Sequence, residues 1–305
     1  MKKYILLILI ATTILGCKAD RKKDITTRIN VVTTTTMLTD LVKNIGGEAI
    51  NIQGLMGSGV DPHLYKASEG DVSKLFDADI IFYGGLHLEG KLVDVFEKME
   101  RRGKKTVAVA KAIDTKDLIG SNYFASNYDP HIWFNLTFWK SITKYVTNEL
   151  VKVNPINASL FDANSKKYIK KLEALEADIM NTINTLPAEK RVLVTAHDAF
   201  NYFGQAYGFE VVGLQGLSTA TEAGVQDVQK LARFIIDKKV KAIFVESSVP
   251  KRTIEALQAS VQSQGHDVMI GGTLYSDALG DAGTKEGEYI GMFNYNVNTI
   301  INALK

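Results

Sequence analysis

Between Pro155 and Pro187 the chain carries one amphipathic stretch longer than an ordinary globular helix. Apolar Ile169, Leu172, Leu175, Ile179, Ile183 and Leu186 recur at intervals of three and four, Lys and Glu fill the opposite face, and Pro187 ends the pattern. From about Leu160 to Leu186 such a helix would be roughly 40 Å long, the span of a whole domain. In a chain of 305 residues it leaves a sizeable segment on either side, each long enough to bury a core of its own. A regular helix in that position predicts a stiff strut between two bodies.

Both flanks alternate short β-branched or apolar runs with amphipathic segments. In the first, strands are expected at Ile29–Thr35, Ala49–Met56, Asp79–Gly84 and Lys105–Ala110. Helices are expected at Met37–Ile45, from Ser68 (with Asp71 completing a capping box), at Leu88–Arg101, and with an aromatic start formed by Trp133, Phe134, Phe138 and Trp139. The second flank repeats the logic. It has strands at Arg191–Ala196, Phe209–Leu214, Lys241–Glu246 and Val268–Ile270, and helices at Ala199–Tyr207, Glu222–Lys238, Arg252–Gln264 and Tyr289–Leu304. The fold class is therefore α/β: two βα lobes with parallel sheets, residues 29–158 and 187–305, joined by one long rigid helix, 159–186. In such sheets ligands sit beyond the carboxyl ends of the strands.

The N-terminus has a different character. Lys2-Lys3 and the apolar run to Leu15 form a secretory signal, residues 1–16, too short to span a bilayer comfortably. Cys17, the single cysteine, stands where a bacterial lipobox places its lipidated residue, and residues 17–28 read as a polar, mostly basic tether. These features predict an extracytoplasmic lipoprotein anchored to a membrane through Cys17. Lys and Arg total 36 against 34 Asp and Glu, so charge gives no reason to expect nucleic acid.

The chain has five histidines, and two of them occupy the same tripeptide, Asp61-Pro62-His63 and Asp129-Pro130-His131. Proline fixes its own φ and drives the preceding Asp into an extended conformation, so each imidazole is presented from a stiff turn. A third pair, His197-Asp198, closes a predicted strand, and Asp277 follows another. Three imidazoles and a carboxylate suit Zn²⁺, Mn²⁺ or Fe²⁺ and suit Ca²⁺ or Mg²⁺ poorly. Position alone does not choose among Asp277, Asp198 and Asp281. Asp61, Asp129, Asp198 and Glu246 are placed to accept the second ring N–H of a ligating histidine. His87 and His266 lack a comparable setting and are read as surface residues or supports behind the site.

The runs GSGVDPHL (57–64), GGLHLE (84–89), DPHIWF (129–134), TAHDAFNYF (195–203), FVESSV (244–249) and GGTLYSDALGDAG (271–283) occur in that order. In this the chain resembles the zinc- and manganese-binding solute-binding proteins of ABC transporters, over essentially its whole length past the signal. The resemblance implies two lobes joined by a rigid helix with the metal at their interface, and it assigns His63, His131, His197 and Asp277 as ligands. It implies a monomer that captures one ion and delivers it to a membrane permease driven by a separate ATPase; the chain has no P-loop of its own. Zinc-specialised relatives often carry a His-rich insertion before the second ligand, absent from Lys116–Tyr128, and manganese-specific ones often have Glu where this chain has His197. The three-His, one-Asp set leaves Zn²⁺ against Mn²⁺ open, with intrinsic affinity favouring Zn²⁺. No enzymatic activity is expected. The rival readings are a mononuclear metallohydrolase on the same ligands, with Asp198 or Glu246 as base, and a surface adhesin.

Overall fold

In a computed structural model the described residues are 28–305, so the expected signal, Cys17 and nearly all of the tether lie outside them. The first half is built from β1 (Ile29–Thr33), α1 (Thr36–Gly46), β2 (Ile50–Gly54), α2 (Glu69–Asp77), β3 (Ile80–Tyr83), α3 (Val93–Arg101), β4 (Lys105–Ala108) and α4 (Leu136–Val153). Its strands form one sheet of order β2-β1-β3-β4, parallel throughout. The second half comprises β5 (Val192–His197), α6 (Asn201–Tyr207), β6 (Glu210–Gln215), α7 (Val225–Lys238), β7 (Ala242–Glu246), α8 (Arg252–Ser263), β8 (Met269–Leu274) and α9 (Tyr289–Leu304), preceded by the long α5 (Ala158–Ile183). Strand β5 pairs with β6 and β7 with β8, each in parallel, and β5 runs beside β7.

Helix α5 is 26 residues long and packs on α4, α1 and α9, elements of both halves. It spans residues 158–183 where 159–186 is expected, and Leu186 is buried just past its end. Tyr168, not its half-buried neighbour Ile169, supplies the apolar contact at the start of the stripe. The buried residues around the helix form one continuous cluster, from Val31, Leu41 and Ile80 of the first half through Leu172 and Ile179 to Phe203, Phe293 and Ile300 of the second. The strut is thus itself part of the core.

Three local expectations differ from what forms. The helix expected from Leu88 begins at Val93, because residues 84–92 make a tight turn in which Gly85, Leu86 and His87 all have positive φ. The buried Glu89 carboxylate holds that turn, accepting from Thr34 Oγ1 at 2.6 Å, Gly84 N at 2.7 Å and Gly85 N at 3.4 Å. Trp133 and Phe134 precede α4 in a 3-10 turn, with Asn135 capping the helix after them. Strand β8 runs through Gly271-Gly272 to Leu274 instead of stopping at Ile270. At Gly271 a Cβ would press on Phe244 and Ala303, so the glycine is what lets strand and α9 approach.

Candidate metal site

All the chemistry singled out in the sequence lies at the carboxyl ends of strands. His63 is in the loop after β2, His131 in the connection after β4, His197 is the last residue of β5, and Asp277 follows β8. The four side chains converge from both halves and are all buried, with one potential ligand atom from each lying within 4.8 Å of the others. His63 Nε2 is 3.3 Å from His131 Nε2, and Asp277 Oδ2 is 3.2 Å from His197 Nε2 and 3.9 Å from His63 Nε2. Asp277 Oδ1 lies 3.7 Å from His131 Nε2.

For His131 and His197 the Nε2 points inward because a carboxylate holds the other side of the ring. Asp129 Oδ1 sits 2.7 Å from His131 Nδ1 and accepts the His131 backbone N–H at 2.9 Å, while Asn201 Nδ2 donates to Asp129 Oδ2 at 3.0 Å. Glu246, at the end of β7, places Oε2 2.6 Å from His197 Nδ1 and takes the His197 backbone N–H on Oε1 at 2.9 Å. Carboxylates in these positions fix tautomer and ring orientation. The two Asp-Pro-His copies are therefore not equivalent. Asp61 accepts only the backbone N–H of His63, at 2.8 Å, and its other oxygen takes the hydroxyl of Thr219 from the second half at 2.5 Å.

Asp198, expected to steady a histidine, turns away: its Oδ1 accepts the backbone N–H of Gly213 on β6 at 2.7 Å. Gly213 presses so closely on His197 and Asp198 that a Cβ there would overlap their backbone. Asp281 is exposed and accepts from Ser58 at 2.5 Å, and His87 is exposed outside the cluster. His266 Nε2 is 3.0 Å from the Val240 carbonyl, far from the site in the fold. Sequence reasoning missed Glu89 and Gly213, whose roles depend on contacts between distant segments; the glycine inside an apolar strand pattern was the available signal for the second.

The electrostatics favour a cation. Burial pushes His63 down to about 3, outweighing the pull of Asp277, so its ring is neutral with a free lone pair at neutral pH. Burial also opposes charge on His197, but the carboxylates of Glu246 and Asp277 win and raise it well above the ordinary histidine value. Asp277 is held low despite its burial, by His197 and then by the other two imidazoles. Both Asp277 oxygens and His197 Nε2 are buried without a hydrogen bond of acceptable geometry. A cation among these atoms would satisfy them and take over the part played by the His197 proton, and the N₃O donor set fits a borderline first-row ion.

Comparison with known proteins agrees with this geometry. Residues 31–303 match the family described as ZnuA, zinc-uptake complex component A, periplasmic. The chain belongs to the ZnuA family. It is 46% identical to the manganese-binding lipoprotein MntA of Bacillus subtilis over 300 residues, 98% of this chain and 97% of MntA. It is 49% identical to the zinc-binding protein TroA of Treponema pallidum over 274 residues, 90% of this chain and 88% of TroA. The solved structure of the periplasmic TroA superposes with a TM-score of 0.88, covering 91% of this chain and 99% of that one. This ZnuA-family fold, two parallel α/β halves on a long helix, is thus the expected one.

Proposed function

We propose that this ZnuA-family protein captures one divalent transition ion, Zn²⁺ or Mn²⁺, between its halves and delivers it to the membrane permease of an ABC importer, with hydrolysis supplied by a separate ATPase. His63, His131, His197 and Asp277 are the ligands. The observation that carries this reading is their convergence as four buried groups from both halves, with potential ligand atoms within 4.8 Å of one another. Named relatives bind manganese or zinc, which supports the ion class without choosing between the two.

A hydrolytic role is disfavoured by the same geometry. Four protein donors leave no open position for water, and the two carboxylates nearest the rings, Asp129 and Glu246, are engaged with His131 and His197 and are not free to act as bases. We read residues 29–158 and 187–305 as the two lobes, Cys17 as the lipid-bearing residue, residues 17–28 as the tether, and the protein as an extracytoplasmic monomer. No helix among the described residues is long and apolar enough to cross a membrane, in keeping with attachment through lipid.

The test is the metal content of protein purified without chelator, followed by competition between Zn²⁺ and Mn²⁺ on the stripped protein. About one equivalent is expected, with Zn²⁺ the stronger competitor on these ligands. Failure of the folded protein to bind either ion on titration would remove the transport reading.

A further inference from the structure

Of the four side chains only that of His63 has any exposure, 2%, against none for Asp277, His131 and His197. The site is therefore least enclosed at His63. Against His63 lies the ring of Phe124, edge-on to it with centroids 6.4 Å apart and planes at 87°. The same ring also meets the exposed His87 in a similar arrangement, 6.2 Å and 81°.

Phe124 is carried by a short loop hung from one isolated antiparallel bridge, Gly120 with Tyr128. Inside it Ser121 N donates to the Asn127 carbonyl and Asn127 N to the Phe124 carbonyl, both at 2.8 Å, with Asn127 at φ 64°. At the tip Tyr123 is fully exposed, while the adjacent Phe124 is only 9% exposed. An apolar ring folded inward beside an exposed one, on a loop closed mainly by its own hydrogen bonds, can swing without disturbing a strand or helix. Phe124 also lines a cavity of about 400 Å³, together with Tyr123, Asp198, Gln215, Glu222 and Asp227. Its three carboxylates favour cations, and Gln215 Oε1 is buried there without a hydrogen-bond partner.

We propose that Phe124 is the gate of the site, separating His63 from this acidic vestibule, and that it governs how fast the ion is taken up and released. The proposal rests on the metal reading above. A gate that blocks passage in both directions slows uptake and release alike and leaves the equilibrium nearly untouched, which a residue that merely packs against the site does not do.

Stopped-flow transfer of Zn²⁺ to and from a fluorescent chelator, alongside affinity from equilibrium competition, separates the two. In Phe124→Ala both rates should rise by about tenfold, as expected where a loop motion limits exchange, with affinity almost unchanged; Phe124→Leu, which keeps an apolar plug, should stay near the parent. Unchanged rates in Phe124→Ala, or weakened affinity with an unchanged uptake rate, would overturn the gate. Equal acceleration in Tyr123→Ala would also overturn it, since loosening of the loop and not the ring would then be responsible. A parent protein that binds no Zn²⁺ at equilibrium would instead refute the metal reading itself.

Discussion

His63 and His87 both sit in loops at the carboxyl edge of the first sheet, yet one is buried among three other donors and the other is exposed. Replacing His63, His131 or His197 by Ala removes one of four donors and should weaken Zn²⁺ binding by more than about 100-fold, whereas His87→Ala should change it by less than about threefold. Equilibrium competition against a chelator decides this, and equal losses for His87→Ala and His131→Ala would mean that the ligand set is wrong. Glu246 acts through His197 and Asp129 through His131, so Glu246→Gln and Asp129→Asn should each cost about 10- to 100-fold in affinity. Asp198→Asn, whose side chain serves Gly213 on β6, should leave affinity near the parent value. The candidate ligands could be read from the sequence because histidine is rare in this chain and a repeated Asp-Pro-His is a local pattern. The choice of Asp277 over Asp198 and Asp281 could not, because it depends on how β8 and its following loop turn toward the first half.

At the scale of elements, α9 begins against a carboxylate from the other half. Asp40 on α1 accepts the Tyr289 backbone N–H at 3.2 Å and the Asn44 side-chain amide at 3.1 Å, so it caps a helix that lies far from it in sequence. Burial raises Asp40 to about 6, with Glu288 adding to the shift and the Tyr289 bond opposing it. The folded state holds this proton more tightly than the unfolded chain, so the contribution of Asp40 to stability is greatest below about pH 4 and declines as pH rises through about 6. Asp40→Asn keeps an acceptor oxygen and does not ionise. The stability of Asp40→Asn relative to the parent, from urea unfolding, should therefore improve between pH 4 and pH 8, by up to about 3 kcal/mol. A difference that is flat with pH would show that Asp40 is not the titrating group. Most elements were legible because their apolar periods are strong; α9 runs over the residues expected, Tyr289–Leu304. The failures fall where a long-range contact decides. Glu89 holds the 84–92 turn against β1's end and so delays α3 to Val93, and the glycines of β8 are strand residues because Ala303 and Phe244 need the room at Gly271 and Thr299 at Gly272.

The whole molecule is a four-stranded sheet and two strand pairs around a shared interior. Helix α5 packs on α1, α4 and α9, and one buried cluster runs from β1 through α5 to α9. Hydrogen bonds also cross between halves near the site: Trp133 Nε1 to the Ser276 carbonyl at 3.0 Å, Leu279 N to Thr36 Oγ1 at 2.8 Å, and Tyr289 OH to the Trp133 carbonyl at 2.5 Å. Two consequences follow for an ion held between the halves. The halves share a packed core that a wide opening would tear, so the proposed exchange would rely on local movement such as that of the Phe124 loop. The halves should also unfold together, since the largest buried cluster draws on both and each half alone keeps only a smaller one. Because the ion binds only the assembled site, saturation at about 100 times Kd adds about 2.7 kcal/mol, which for a chain of this size raises Tm by roughly 5 °C. Calorimetry with and without Zn²⁺ should therefore show one transition, moved upward as a unit. Two transitions, with Zn²⁺ shifting only one, would mean that the interior is not continuous in energetic terms and that a large opening of the lobes is open to the molecule after all.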